Sequence, residues 1–423
     1  MRYHEYSDYK DSGVDWLNKV PKHWELKRLG SKFTQRKEKV SDKDFEPLSV
    51  TKNGILPQLA NVAKSDASDN RKLVRKGDFV INSRSDRKGS SGLSDFDGSV
   101  SLINIVLEPN NTIDSNFCHH LLRSYLFQEE FYKYGHGIVA DLWTTNYDDM
   151  KNIYLAIPSM DEQQKIATFV NREISKIDNL ISKQEQLIKL LEEQRKSIIS
   201  HAVTKGLNPN AAMKDSGIEW LGEIPAHWDV KPIKSLYSRV KKTGFENETL
   251  LSVYREYGVI VKSSRDDNHN KESDDLSPYQ LVNVGDLVIN KMKAWQGSLA
   301  ISEHRGIVSP AYYIYEPFES HELNNKFIHN QIRSQYFIQS YKNYSKGIRV
   351  GQWDLESDLF VRINLYIPPA DEQNEIVNYI QSETNKINNL IDKQKLLIEK
   401  LQEYRSSIIS HAVTGKIDVR EAL

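Results

Sequence analysis

The chain has 423 residues, 39% of them hydrophobic, a single cysteine and a formal net charge of −1. That is enough apolar material for two or three domains with cores of their own; Cys118 alone excludes an intrachain disulfide, and no stretch reads as a signal peptide or membrane span, so a cytoplasmic protein is expected. Near-neutral charge also excludes a nucleic-acid binder driven by bulk basicity, so any such contact must be local.

In chain order, the first half opens on DSGVDWLNKVPKHWELKRL from Asp11, with Trp16, Pro21 and Trp24. KGDFVINSR and VSLINIVLE then cluster β-branched and apolar residues between Gly, Asp and Pro, which predicts strands. A basic run surrounds the first of them: Arg71, Lys72, Arg75, Lys76, Arg84, Arg87 and Lys88, with Asp78 and Asp86 between. From Asn116 to Tyr134, Phe117, Leu121, Leu122, Tyr125 and Phe131 keep helical spacing, with His119 and His120 read as helix surface. The second half repeats the order: DSGIEWLGEIPAHWDVKPI from Asp215, strands in VGDLVINK and GIVSPAYYIYE, and a helix from Asn324 to Tyr344. Each half predicts a mixed α and β domain.

Each domain leads into a long helix. The first, Asp161 to Val203, would be about 60 Å long at a rise of ~1.5 Å per residue. Ser159 and Glu162 have capping-box spacing, whereas the second copy carries Pro369 in place of the serine. Apolar residues recur at steps of four and three, Ile166, Val170, Ile177, Leu180, Leu187, Leu191 and Ile198, with Ile181 and Ile188 widening the stripe, and again as Ile376, Ile380, Ile387, Leu390, Leu397, Leu401 and Ile408. A period near 3.5 calls for a coiled-coil partner, and two such helices in one chain are expected to pack on each other. Glu173, Gln184, Glu383 and Gln394 interrupt the stripe. In an antiparallel pair related by a pseudo-twofold axis the central residues meet, so Gln184 is expected opposite Gln394 as a register-setting polar layer. Thr204 to Lys214, with Gly206 and Pro209, reads as a linker.

Laid on itself, the chain is a duplication. Ile157-Pro158 through Thr204 matches Ile367-Pro368 through Thr414 at a constant spacing, Glu162 answering Glu372 and His201 answering His411. The opening segments match too, Trp16, Pro21 and Trp24 answering Trp220, Pro225 and Trp228. Between these flanks only islands survive, among them LSV at Leu48 and Leu251, GDFVIN at Gly77 against GDLVIN at Gly285, and Trp143 against Trp353. One scaffold carries two differently evolved surfaces.

With IP-x-x-DEQ opening each long helix and RxSIISHAVT closing it, the chain resembles the specificity subunit of type I restriction-modification enzymes over nearly its whole length. The resemblance implies an α/β (α+β) fold with two target recognition domains, residues 1–156 and 205–366. They would be separated by long helices in 157–204 and in 367–416, the latter with a short tail, forming an antiparallel intramolecular coiled coil with pseudo-twofold symmetry. It further implies a noncatalytic chain that reads a bipartite, asymmetric double-stranded DNA site. Two methyltransferase subunits and restriction/translocase subunits would be its partners; S-adenosylmethionine, ATP and Mg2+ would belong to those partners and none to this chain. Rigidly separated readers suit a split site, since reader separation fixes half-site spacing. Two other readings remain at this point: a protein-assembly scaffold with two variable binding domains, which the near-zero charge favours, and a nuclease in its own right, for which no segment is left over.

Candidate DNA contacts lie where the shared islands end and the halves diverge, because Arg and Lys can bond guanine and Asn and Gln adenine. After the INS and IN strands these are Arg84, Ser85, Arg87 and Lys88, and Lys291, Lys293 and Gln296. After LSV they are Lys52 and Asn53, with Asn53-Gly54 also a plain turn signal, and Tyr254, Arg255 and Tyr257. Before the long helices they are Thr144 and Asn146 with His136 nearby, and Lys346, Arg349 and Gln352; Trp143 and Trp353 are read as packing residues. His201 and His411 have no second ligand at useful spacing, and no catalytic or metal residue is expected.

Overall fold

The computed structural model describes residues 4–58, 69–137, 143–265, 273–319, 322–349 and 352–422, with only the backbone of 348, 349 and 352. The chain divides into two compact units, Met1–Gln184 with Lys395–Leu423, and Glu185–Gln394. Each unit owns a stretch of both long helices, which run Met160–Lys205 and Ala370–Val413.

In unit 1 a four-stranded antiparallel sheet has the order Ser91–Leu93, Phe79–Asn82, Asn104–Pro109, Phe33–Gln35. Its strands are buried on both faces, which is why GDFVIN reads as a solid apolar run. Side chains alternate across a strand: Phe79 and Ile81 enter the main core with the helices, while Val80 and Val106 enter a second core with Leu48 and Ile55 of the hairpin Leu48–Thr51/Gly54–Pro57. Unit 2 repeats this, with order Tyr237–Val240, Tyr312–Pro317, Leu287–Asn290, Leu299–Ile301. Leu287 and Ile289 face its helices, and Val288 faces Leu251 and Val253 of the hairpin Leu251–Tyr254/Gly258–Val261.

The helix expected over Asn116 to Tyr134 is two helices, Ser115–Arg123 and Tyr125–Lys133. Ser124 leaves the helical conformation and caps the second through Phe127 N–H, as a short polar side chain can. Unit 2 breaks in the same place, between Asn325–Ile332 and Gln335–Asn343.

DEQ is a packing motif. Glu162 Oε1 accepts from the Tyr6 hydroxyl (2.8 Å) and Trp24 Nε1 (3.1 Å), and its Oε2 lies 2.9 Å from His23 Nε2, so the opening segment is clamped to the helix start. Glu372 takes Trp228 Nε1 (3.1 Å) and His227 Nε2 (2.7 Å) likewise. The next residue caps a neighbour: Gln163 Oε1 accepts from Asp114 N–H and Gln373 Oε1 from Asn324 N–H, each at the residue that caps the following helix. Ser159 Oγ does receive Glu162 N–H (3.4 Å), but with the carboxylate drawn to Trp24 and Tyr6 the capping box is only half made.

Within unit 1 the helix segments run antiparallel. Asp178 Oδ1 makes an ion contact with Arg405 Nε (3.1 Å), and Arg172, nearer the start of its helix, reaches the Ala422 carbonyl beyond the end of the other. Unit 2 holds the counterpart, Arg195 Nη1 donating to Asn388 Oδ1 (2.7 Å), with Leu191, Ile387 and Ile391 in one small core. The seam is narrower than the expected stripe, which loses four leucines. Leu180, Leu187, Leu390 and Leu397 are exposed, and Ile177, Ile181, Ile188, Leu191 and Ile198, with Ile387, Ile391, Leu401 and Ile408, are the buried or half-buried row. The regular spacing of leucines hid this, since two adjacent apolar rows share the same period. Stepping six residues in opposite directions from the Asp178–Arg405 contact brings Gln184 level with Glu399, and the same step from Arg195–Asn388 brings Gln394 level with Lys189. Gln184 Oε1 is buried without a hydrogen-bond partner among the described residues.

Candidate nucleic-acid interface

In unit 1 the loop after strand Phe79–Asn82 turns on Asn82, whose Oδ1 accepts from Arg84 N–H (3.1 Å). Its backbone is stitched to the segment before the long helix: Ser85 N–H donates to Trp143 O (2.8 Å), Thr145 N–H to Ser83 O (3.0 Å), and His136 and Thr144 exchange both backbone bonds. Two separated candidate segments thus form one surface carrying Arg84, Ser85, Arg87 and Thr144. Arg84 is held flat by both oxygens of Asp86 (2.8 and 3.0 Å), Arg87 points to solvent, and Lys88 is paired with Glu129. Lys52 and Asn53 are the exposed tip of the hairpin, where Thr51 Oγ1 accepts Asn53 N–H (3.0 Å).

Unit 2 joins the corresponding segments. Leu355 N–H donates to Lys291 O (3.0 Å), Lys291 Nζ meets Asp354 Oδ2 (3.1 Å), and Trp295 and Trp353 lie with ring centroids 4.9 Å apart. Lys293 is exposed, Gln296 is half-buried, and Lys346 pairs with Glu356 (2.8 Å). Arg349 and Gln352 face each other across the hairpin Ser345–Arg349/Gln352–Leu355, their side chains lying outside the described residues. At the other hairpin, Tyr254 and Tyr257 have centroids 6.4 Å apart, and Arg255 and Tyr257 are exposed.

The structure commits several residues of the basic run to partners within the unit. Arg71 is buried with its guanidinium on Ser99, Lys72 Nζ donates to Asn104 O, and Arg75 pairs with Asp97 while lying over Phe45. Asn146 spends its carbonyl capping the short helix Tyr147–Met150. Of the two tryptophans, Trp353 packs on Trp295, but Trp143 is 38% exposed. What remains includes polar atoms without partners: Ser85 Oγ, Tyr254 OH, Trp295 Nε1 and Asp354 Oδ1 are buried and unbonded among the described residues. Each costs free energy unless something else supplies the bond. All four lie in the candidate segments.

Sequence reasoning missed two pairs of residues beneath these surfaces. Arg123 Nη2 donates to Lys52 O (2.6 Å), and Arg333 Nη2 to Arg255 O (2.7 Å) and Glu256 O (3.1 Å). One turn earlier, His119 Nδ1 accepts Leu93 N–H (3.2 Å), and His329 Nδ1 lies 3.4 Å from Ile301 O. Burial first, then the neighbouring guanidinium, pushes His119 down to about 3 and His329 to about 4, so both rings are neutral at pH 7. The signal was present as H-x-x-x-R-S at His119 and His329, at the helix spacing of the duplication. His119 and His120 are therefore not helix surface; His120 is buried and bonded to Asn171 Oδ1 (2.7 Å). Among the described residues no group of three or more His, Cys, Asp or Glu could hold a metal ion, and no helix is long and apolar enough to cross a membrane.

Residues 21–192 match the family described as the type I restriction modification DNA specificity domain. A putative type I restriction enzyme specificity subunit of Methanocaldococcus jannaschii, MjaX, is 21% identical over 96% of both chains, and the StySPI specificity subunit of Salmonella potsdam is 21% identical over 74% of this chain and 67% of its own. Among solved structures, a chain from work on complex assembly and conformational transition of the type I R-M system aligns with a TM-score of 0.62 at 14% identity, covering 93% of this chain and 98% of that one. The HsdS subunit of Thermoanaerobacter tengcongensis gives 0.51 at 16%, covering 94% and 98%.

Proposed function

We propose that this chain, which belongs to the family of type I restriction-modification specificity subunits, reads a bipartite DNA site, one half with each unit, and positions methyltransferase and restriction subunits on it. The observation that carries the reading is the repeated surface. In each unit the loop after the central strand is bonded to the segment before the long helix, and that surface holds unpaired polar atoms beside side chains that differ between units. Base edges supply the missing donors and acceptors, and different side chains select different bases. Arg84, Ser85, Arg87 and Lys88 with Thr144, and Lys291, Lys293 and Gln296 with Lys346, Arg349 and Gln352, are the proposed readers. Lys52 and Asn53, and Tyr254, Arg255 and Tyr257, extend them from the hairpin tips.

Leu180 and Leu397 in unit 1, and Leu187 and Leu390 in unit 2, are exposed apolar side chains suited to protein docking, and the methyltransferase subunits are the proposed occupants. S-adenosylmethionine, ATP and Mg2+ belong to the partners in this reading, and the complex works in the cytoplasm; Gln184 and Gln394, which stand level with Glu399 and Lys189 in the registers, are polar breaks in the helices and not a layer facing each other. The test is methylation mapping on DNA with the assembled methyltransferase. Removing this chain should abolish the target preference, and Arg84→Ala should relax one half of the site only, by about 1–3 kcal/mol at the affected base. A target preference that survives removal of the chain defeats the reading.

A further inference from the structure

The hairpin tip in each unit has few means of holding its position. In unit 1 the turn is two residues, Lys52 and Asn53, closed by Gly54 at φ 111°, and in unit 2 it is three, Arg255 to Tyr257, closed by Gly258 at φ 76°. The left-handed glycines permit the turns but do not aim them.

What aims them is a half-buried cation on the helix behind. Arg123 and Arg333 stand at equivalent positions, the last turn of Ser115–Arg123 and the residue after Asn325–Ile332. Each donates to the backbone carbonyls of its tip, and Arg333 also to Leu299 O (3.0 Å), on the strand that follows the reading loop. In unit 1 His119, on the same helix as Arg123, ties the equivalent strand Ser91–Leu93 through Leu93 N–H, and its Nε2 lies 3.2 Å from Arg123 Nη1. The tip is pressed close enough that a Cβ on Gly92 would stand 3.0 Å from Gly54 Cα, and one on Gly258 would stand 3.0 Å from Ala300 Cβ. Neither half-buried guanidinium has a carboxylate partner among the described residues. Their bonds go to carbonyls of the tip and strand, so the charge is left uncancelled beneath the tip.

We propose that Arg123 and Arg333 are positioning residues for DNA reading, each locking its hairpin tip against the strand that follows the reading loop, so that tip and loop meet the duplex as one surface with a fixed positive charge behind it. The inference rests on the reading above that these surfaces contact DNA. Because carbonyl recognition here needs the forked guanidinium, lysine keeps the charge and loses the lock.

The experiment uses the complex of the full chain with its methyltransferase subunits, scored by methylation of a library of target sequences randomised in either half. Arg123→Met should reduce base discrimination roughly tenfold in one half of the site, and Arg333→Met in the other, the scale of one misplaced base contact. Arg123→Lys and Arg333→Lys, the milder variants if methionine impairs folding, should retain overall affinity and its salt dependence while losing discrimination in the same half. Equal loss in both halves, tracking a lowered melting temperature, would mark a merely structural role and overturn the inference, as would unchanged discrimination. A wild-type complex with no sequence preference at all overturns the DNA reading itself and this inference with it.

Discussion

Asp78 and Asp286 stand at the head of the same central strand in the two units, both with 2% of their surface exposed, and they are neutralised differently. Asp78 receives Arg36 through both oxygens, at 2.8 and 3.0 Å, together with Arg75 N–H. Among the described residues Asp286 receives only Asn283 N–H (2.7 Å), and burial, with Glu316 adding to it, raises its carboxyl to about 6. The same sequence island, GDFVIN and GDLVIN, therefore imposes a buried carboxylate whose cost is met by a neighbour outside the island. The lesson is that the matched residues fix the scaffold, while the unmatched ones decide how each unit tolerates it.

The largest break of this comparison comes from removing the charge. Asp78→Asn takes from the half-buried Arg36 its two-pronged partner and leaves it only the exposed Glu108 carboxylate at 3.3 Å, so it should destabilise unit 1 by about 2 kcal/mol, read as faster hydrogen exchange in Phe79–Asn82. Asp286→Asn should do the reverse above pH 6, slowing exchange in Leu287–Asn290. The sign follows from linkage: a carboxyl raised from 3.8 to about 6 holds its proton longer in the folded state, so its contribution is present below pH 3.8 and lost as pH rises through 6. Below pH 4 the asparagine variant and the parent should coincide; equal effects of the two substitutions at pH 8 would erase the distinction between the units.

The helix-start clamp sharpens the comparison with a smaller contrast between the units. Among the described residues Glu162 has Tyr6, Trp24 and His23, whereas Glu372 has only Trp228 and His227, and its side chain is 22% exposed against 5% for Glu162. Glu162→Ala should cost about 3 kcal/mol and Glu372→Ala about half of that, since each hydrogen bond to a charged group contributes about 1.5 kcal/mol and exposed partners contribute less. Denaturant melts followed by the fluorescence of Trp24 and Trp228 neighbourhoods in each variant would measure the difference.

These contrasts also explain what could be read from the chain alone. The α and β character of each unit, the strands in FVIN and LVIN and the two long helices were legible because burial on both sheet faces and a near-3.5 period leave dense apolar patterns. The seam was legible only in part, because Leu180 and Leu187 carry the same period as Ile177, Ile181 and Ile188 and were read into one stripe with them. The break at Ser124 was missed because a capping serine inside an amphipathic run changes few positions in the pattern. At the candidate surfaces, the segments themselves were legible as places where the halves diverge. Their union was not, since it depends on backbone bonds such as Ser85 to Trp143 that side-chain identity does not encode. Arg123 and Arg333 escaped for the opposite reason: they are the same in both halves, and attention to differences passes over them.

The smallest expected effect lies in the helix pair. Arg405 faces Asp178 in unit 1, but the corresponding Arg195 faces Asn388 in unit 2, so one unit has an ion contact where the other has a neutral hydrogen bond. Asn388→Asp should copy the first arrangement into the second. Both partners are at least partly solvated, so the gain should be no more than about 0.5–1 kcal/mol and should fade with added salt. Asp178→Asn should make the opposite change in unit 1 and approach neutrality at high salt. If Asn388→Asp instead destabilised at all salt concentrations, the bond from Arg195 would owe its value to the amide, and the two units would differ in their helix packing as well as in their buried aspartates.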